Sequence, residues 1–311
     1  MYKMKIYQEL IPCEEPTAVA LGSFDGLHLG HRAVISQTLG EPGLVPTVLT
    51  FARNPLCDLG GKTGGELMTQ QQKEQVLEKF GIKQLYRLQF ASIMHLTAEQ
   101  FVDEVLIKVC HAKKVCCGFN FTFGEGGSAT SADLTHLCTQ RGLRVAVKPA
   151  VMADNAPISS TRIRALVRAG AVGEAARLLG RPYSYLSTVQ HGQQLGRRLG
   201  TPTLNQKIPD NFVLPRFGVY ASRVTLNGHI YCGVTNVGIR PTVDGHFVSA
   251  ETWMPDYTGP EVYGATVCTD LLHFIRPEKK FASVEALGKQ IRQDGEHARI
   301  YLQQECKQAF A

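Results

Sequence analysis

Short apolar runs alternate with longer helical patterns through the first half of the chain, the mark of β-α-β units on a parallel sheet. Residues 17–24 (TAVALGSF) read as a buried strand, and residues 32–39 continue as a helix. Residues 46–51 (PTVLTF) predict a second strand, 69–80 a helix that Gly81 caps, and 85–88 a third strand. Thr97 opens another helix, with Glu99 and Gln100 in its first turn and Phe101, Val102, Val105, Leu106 and Val109 at helical spacing. Strands follow at 114–118 (KVCCG) and 143–149 (LRVAVKP). From 159 to 180 the pattern is helical twice, broken at 170–173 and stopped by Gly180 and Pro182.

Beyond that stop the texture changes to strands with explicit turn chemistry. VYASRVTL, Asn227-Gly228 and HIYCGVTNV make a two-residue hairpin, and Asp244-Gly245 marks a second. With a further strand over 263–271, five or six antiparallel strands suggest a small closed barrel, because closure leaves no exposed edge. The tail from 283 to about 310 is helical, with a break expected at Asp294-Gly295. A domain boundary is therefore expected near 181–186, giving domains of residues 1–182 and 183–311.

A chain of 311 residues with 44% apolar and 19% charged positions supports two ordinary cores. No stretch reaches the ~18 consecutive apolar residues of a membrane span, and no basic head, apolar run and cleavage site open the chain, so a cytoplasmic protein without membrane partners is expected. The nine cysteines are scattered with no C-x-x-C pair, which predicts buried free thiols. A formal charge of +6, not gathered into runs, suits small phosphate-bearing ligands better than nucleic acid.

Gly22-Ser23-Phe24-Asp25-Gly26-Leu27-His28-Leu29-Gly30-His31 follows a predicted strand and opens a helix, where free N–H groups and the helix dipole favour phosphate. His28 and His31, three apart, can donate to one anion as charge develops on it. Ile158-Ser159-Ser160-Thr161-Arg162-Ile163-Arg164 sets hydroxyls at another helix start with guanidinium groups in the next turn, a second phosphate cradle. G-x-F-D-G-x-H-x-G-H and I-S-S-T-R-I-R together resemble the paired signatures of the FMN adenylyltransferase domain of bacterial bifunctional FAD synthetases, over roughly residues 15–182. Gly118-Phe119-Asn120-Phe121-Thr122-Phe123-Gly124 is similar to that family's third loop. The resemblance implies a Rossmann-like nucleotidyltransferase fold with His28 and His31 catalytic. It implies nucleotide contacts from Gly22, Phe24, Asp25, Gly30, Asn120, Ser159, Ser160, Thr161 and Arg164. Where the family commonly has Pro-His-Pro after its second strand, this chain has Arg53-Asn54-Pro55.

His191-Gly192-Gln193-Gln194-Leu195-Gly196-Arg197-Arg198-Leu199-Gly200-Thr201-Pro202-Thr203-Leu204-Asn205 is a different kind of motif. Gly192, Gly196 and Gly200 let backbone N–H groups cup phosphates, and Thr203 and Asn205, two apart on an extended segment, can both reach Mg²⁺. G-R-x-L-G-x-P-T-x-N resembles the riboflavin kinase signature, and Gly218-Val219-Tyr220-Ala221, the block 236–242 and Val262-Tyr263-Gly264 match other blocks of that family in order. The resemblance, over about 183–305, implies a six-stranded barrel with a terminal helix and gives Glu251 the position of the catalytic glutamate. The chain is thus expected to use ATP with Mg²⁺ twice, converting riboflavin to FMN and FMN to FAD. An enzyme with one active site, or a flavin-binding regulator, is the alternative.

Overall fold

The computed structural model describes residues 3–55, 64–191, 201–209, 211–242 and 245–309. They gather into two compact units, residues 1–66 with 70–160, and 67–69 with 161–311.

The first unit is built on strands β1 (Lys5–Tyr7), β2 (Thr17–Leu21), β3 (Val45–Phe51), β4 (Gln84–Leu88), β5 (Ala112–Gly118) and β8 (Arg144–Lys148). They form one sheet in the order β1-β4-β3-β2-β5-β8, and each neighbouring pair is parallel. All of β2 is buried, as a central strand covered on both faces must be. Helices α1 (Leu29–Ile35) and α2 (Gln70–Phe80) serve as crossovers. Thr97 caps α3 (Ala98–Gln100) through a capping box with Gln100, and the helix continues as a π-helix over Phe101–Val109, whose apolar face enters the core beside Tyr86 and Val115. The short pair β6 (Thr122–Phe123) and β7 (Ala129–Thr130) precedes α4 (Ser131–Gln140). A second short pair, β9 (Met152–Ala153) and β10 (Ala156–Pro157), leads to α5 (Ser160–Ala169).

In the second unit, strands β11 (Tyr183–Gln190), β12 (Thr203–Lys207), β13 (Gly218–Leu226), β14 (His229–Thr242), β15 (Gly245–Trp253) and β16 (Thr266–Arg276) close a barrel in the order β11-β12-β15-β14-β13-β16. The β13–β14 hairpin turns at Asn227 and Gly228 with φ of 49° and 81°, the left-handed pair that an Asn-Gly turn supplies. The second expected turn, at Asp244, lies outside the described residues. The barrel's interior is polar in part: Thr235 Oγ1 is 2.8 Å from Thr252 Oγ1 and donates to Ser222 at 2.7 Å, while Thr269 donates to Gln206 at 2.8 Å. Tyr185 is fully buried there, and desolvation pushes its phenol well above the usual range.

Helices α5 and α6 (Val172–Leu179) pack on the barrel. Gly170, at φ 82°, lies against Arg216 and Phe274, and Gly173 against the Leu272 carbonyl. Contacts therefore divide the chain at 160/161, some twenty residues before the boundary near 181–186 expected from the helix stop at Gly180.

Two sequence expectations need correction. Strand β2 ends at Leu21 rather than 24, because Phe24 takes a left-handed φ of 47° that no strand contains. Helix α7 (Val284–Ala309) is unbroken through Asp294 and Gly295. Asp294 is a buried carboxylate bonded by Arg276 at 2.8 Å and Gln290 at 3.0 Å. A Cβ on Gly295 would come within 2.7 Å of the Trp253 ring. Both residues thus fix the helix to the barrel instead of ending it. Gly295→Ala gains ~1 kcal/mol of helix propensity but overpacks a large ring at ~1–3 kcal/mol, so a net loss in thermal stability is expected by calorimetry.

Candidate functional site

In the first unit the chain passes from β2 through α1 to β3, which lies on one side of β2, while β5 lies on its other side. The loops after β2 and β5 therefore flank the point where strand order reverses, the usual ligand crevice of an open parallel sheet. The first is the histidine loop, the second begins at Gly118.

The histidine loop is bent by three left-handed residues, with φ of 47° at Phe24, 77° at Gly26 and 41° at Leu27. Its carbonyls are held from outside. Thr50 Oγ1 donates to the Ser23 carbonyl at 2.9 Å, Lys73 Nζ to the same oxygen at 3.1 Å, and Ser160 Oγ to the Asp25 carbonyl at 3.0 Å. His28, 5% exposed, is the N-cap of α1: its Nδ1 accepts from the His31 N–H at 3.2 Å. That bond leaves the ring's hydrogen on Nε2 in the neutral form, so Nε2 is a donor. The His28 and His31 rings stack with centroids 3.6 Å apart, and Phe24 meets His31 edge-on at 5.4 Å. A Cβ on Gly30 would stand 3.0 Å from His28 Cε1 and 3.1 Å from Nδ1, and one on Gly22 would meet the Phe24 ring at 3.0 Å. Each glycine makes room for one ring.

Of the sequence-derived residues, the structure gathers Gly22, Phe24, Asp25, His28, Gly30, His31 and Ser160 around this loop. Ser159 precedes α5, and Thr161 and Arg164 lie on that helix as part of the second unit, with Arg164 buried. Asn120 is exposed beyond β5, its Oδ1 3.4 Å from where a Gly118 Cβ would lie; Val34 of α1 is 3.9 Å from the same point. Phe119, 53% exposed, stands beside it.

The second constellation lies across three barrel strands. Glu251 on β15 pairs directly with Asn205 on β12 and with Asn236 on β14. The three side chains form a row on one face of the sheet, with neighbouring Cβ atoms ~5 Å apart. Alternation assigns the face: Thr235, Thr252 and Gln206 point into the barrel, so Asn205, Glu251 and Asn236 point outward with Val234 and Trp253, which pack with Ala298 of α7. Thr203 pairs with Trp253 on the same outer face. Glu278 reaches this row as well: Asn236 Nδ2 donates to its Oε1 at 3.3 Å, and a Gly238 Cβ would collide with that oxygen. Gly192, Gly196 and Gly200 lie outside the described residues. The donors available here are amide, hydroxyl and carboxylate oxygens, which fit a hard divalent cation.

Sequence reasoning missed Lys73, Asn236 and Glu278. Lys73 reads as a solvated position of α2, and Glu278 precedes the terminal helix with no motif around it. Only Asn236 carried a signal, inside the block 236–242.

Seven cysteines are described, all free, five of them buried. Burial pushes the Cys116 thiol up to about 12 and Cys117 to about 11, which leaves both inert as nucleophiles near neutrality.

Comparison with known proteins gives both halves a relative. A family model described as FAD synthetase matches residues 10–162, and one described as riboflavin kinase matches residues 179–302. Proteins called bifunctional riboflavin kinase/FMN adenylyltransferase are similar over nearly the whole chain. The one from Listeria monocytogenes is 34% identical over 290 residues, 91% of each chain. Those from Bacillus subtilis and Escherichia coli K12 are 34% and 32% identical, each covering 92–93% of both chains. A solved structure described as a macrolide-efflux protein from Streptococcus pneumoniae superposes with a TM-score of 0.86 at 31% identity, covering 96% of this chain and 99% of that one. Among the described residues of the present chain, no helix is long and apolar enough to cross a membrane.

Proposed function

From a chain that belongs to the family of bifunctional riboflavin kinase/FMN adenylyltransferases, as this one does, we infer where its two reactions take place. It phosphorylates riboflavin to FMN and adenylylates FMN to FAD, with ATP as the second substrate of both and a divalent cation accompanying the nucleotide. The finer proposals are that this cation is Mg²⁺, that the enzyme is cytoplasmic, and that residues 1–182 serve adenylyl transfer and 183–311 the kinase.

Adenylyl transfer belongs at the histidine loop. An FMN phosphate oxygen attacks the α-phosphorus of ATP, the bond to pyrophosphate breaks, and negative charge grows on the α-phosphate and the leaving group. The observation that carries the reading is the His28 cap: its bond to the His31 N–H turns Nε2 into a donor before any ligand arrives. His31, stacked on His28, supplies a second donor to the same charge. Gly22, Phe24, Asp25 and Gly30 shape this pocket, and Asn120, Ser159, Ser160, Thr161 and Arg164 are assigned to the nucleotide.

Phosphoryl transfer belongs on the outer face of the barrel. The ribityl hydroxyl attacks the γ-phosphorus of ATP, the bond from that phosphorus to the bridging oxygen breaks to release ADP, and the proton the hydroxyl loses is accepted by Glu251 as general base. Thr203 and Asn205 would hold the cation, whose bound form neutralises charge on the phosphates. Gly192, Gly196 and Gly200 are assigned to the phosphates from their sequence pattern alone.

Gly30→Ala tests the first assignment at its tightest point. The added methyl forces the His28 ring to move by a few tenths of an ångström. Because a 1 Å misplacement can cost 10²-fold, FAD formation from FMN should fall about tenfold while FMN formation is unchanged, as measured by chromatography of the flavins. An unchanged FAD rate would remove His28 from the site.

A further inference from the structure

Lys73 is 5% exposed, an unusual place for an ammonium group, and it sits on the solvent-poor side of a helix that otherwise reads as surface. Burial alone disfavours its charged form; Asp25 and Glu66 favour it, and Arg87 opposes it. A buried cation is costly unless polar groups around it compensate the lost hydration. The partner here is the Ser23 carbonyl, 3.1 Å from Nζ, immediately before the first left-handed residue of the histidine loop. Thr50 donates to the same oxygen, so two donors fix one peptide plane from two elements, β3 and α2. The next peptide planes have little freedom left: Phe24 and Leu27 are non-glycine residues with positive φ, a conformation that persists only when its surroundings over-determine it.

We propose that Lys73 is a positioning residue for adenylyl transfer, holding the Ser23 carbonyl and, through it, the strained path that presents His28 and His31. Lys73 touches no reacting atom in this account. It acts through the loop, whose Asp25, together with Glu66, favours the charge on Lys73. The proposal rests on the assignment of adenylyl transfer to the histidine loop, and the kinase reaction of the same chain provides an internal standard.

The test uses the full-length chain with Lys73→Met, which keeps length and apolar contacts, and Lys73→Arg, which keeps charge and donors. FMN adenylylation and riboflavin phosphorylation are measured side by side, with His31→Ala as reference. For Lys73→Met the kcat of adenylylation should fall by about 10–100-fold while the ATP KM changes little and phosphorylation keeps its rate. Lys73→Arg should recover most of the loss. The ring signals of His28 and His31 in NMR spectra should shift in Lys73→Met and return in Lys73→Arg. An unchanged kcat in Lys73→Met, an equal loss of both reactions, or no recovery with Arg would overturn the proposal. Should Lys73→Met not fold, Thr50→Val removes the other donor to the same oxygen; a smaller loss with the same split supports the proposal, and wild-type kcat counts against it. If His31→Ala itself retained adenylylation, the site assignment would fail; if it lost adenylylation while Lys73→Met kept it, only the role of Lys73 would fail.

Discussion

His31→Ala should cut FAD formation from FMN by about two to three orders of magnitude while FMN formation from riboflavin continues at the wild-type rate. Removing one preorganised donor to developing charge typically costs ~3 kcal/mol, which is a loss of that size. The fold should survive, because the bond that caps α1 uses the His31 backbone N–H, which Ala retains. What disappears is the half-buried ring stacked 3.6 Å from His28 and edge-on to Phe24. His28 keeps its cap and its Nε2 donor, so residual adenylylation at the level of a single donor is expected. Rates from FMN and ATP, followed by separating the flavins, check this. A variant that lost both reactions in a folded protein would contradict the two-site assignment.

Glu251→Ala should do the converse. Without its base the kinase should lose about 10²–10⁴-fold in rate, and adenylylation of supplied FMN should be untouched. Asn205 and Asn236 flank Glu251 in register on either side, and both remain in the variant. Binding of ATP should therefore persist, and the loss should fall on kcat. Glu251→Gln, which keeps the shape and loses the base, should match the alanine variant; if Gln retained most of the rate, the side chain would be orienting groups instead of accepting a proton.

Much of this architecture was legible where local chemistry and tertiary structure agree. Thr97 and Gln100 form the capping box they spell, Asn227-Gly228 makes its hairpin, and the apolar strands of the first unit stack into a buried parallel sheet. The histidine loop was legible too, because its glycines and two histidines stand between an apolar strand and a helix start, where the structure places the turn and the His28 cap. The rest failed where packing overrides local preference. Strands β11 and β12 are weakly apolar, since the barrel buries Tyr185 together with hydrogen-bonded Gln206, Thr235 and Thr252, and alternation of apolar with polar residues cannot reveal a polar interior. Asp294-Gly295 spells a helix end and lies mid-helix, held by Arg276 and Trp253 from distant strands. The row Asn205–Glu251–Asn236 is a product of strand register, which residues as far apart in the chain as Asn205 and Glu251 do not announce. Lys73 is the hardest case, a buried lysine whose hydrogen-bond acceptor lies in a loop fifty residues upstream.

Two independent sites in one chain make a prediction that neither variant alone can supply. Given riboflavin, ATP and Mg²⁺, His31→Ala should accumulate FMN and Glu251→Ala should leave most riboflavin unconverted, whereas an equimolar mixture of the two should produce FAD far faster than either alone, with FMN released by one molecule and consumed by the other. A mixture that yields no FAD, from two folded proteins, would contradict the account.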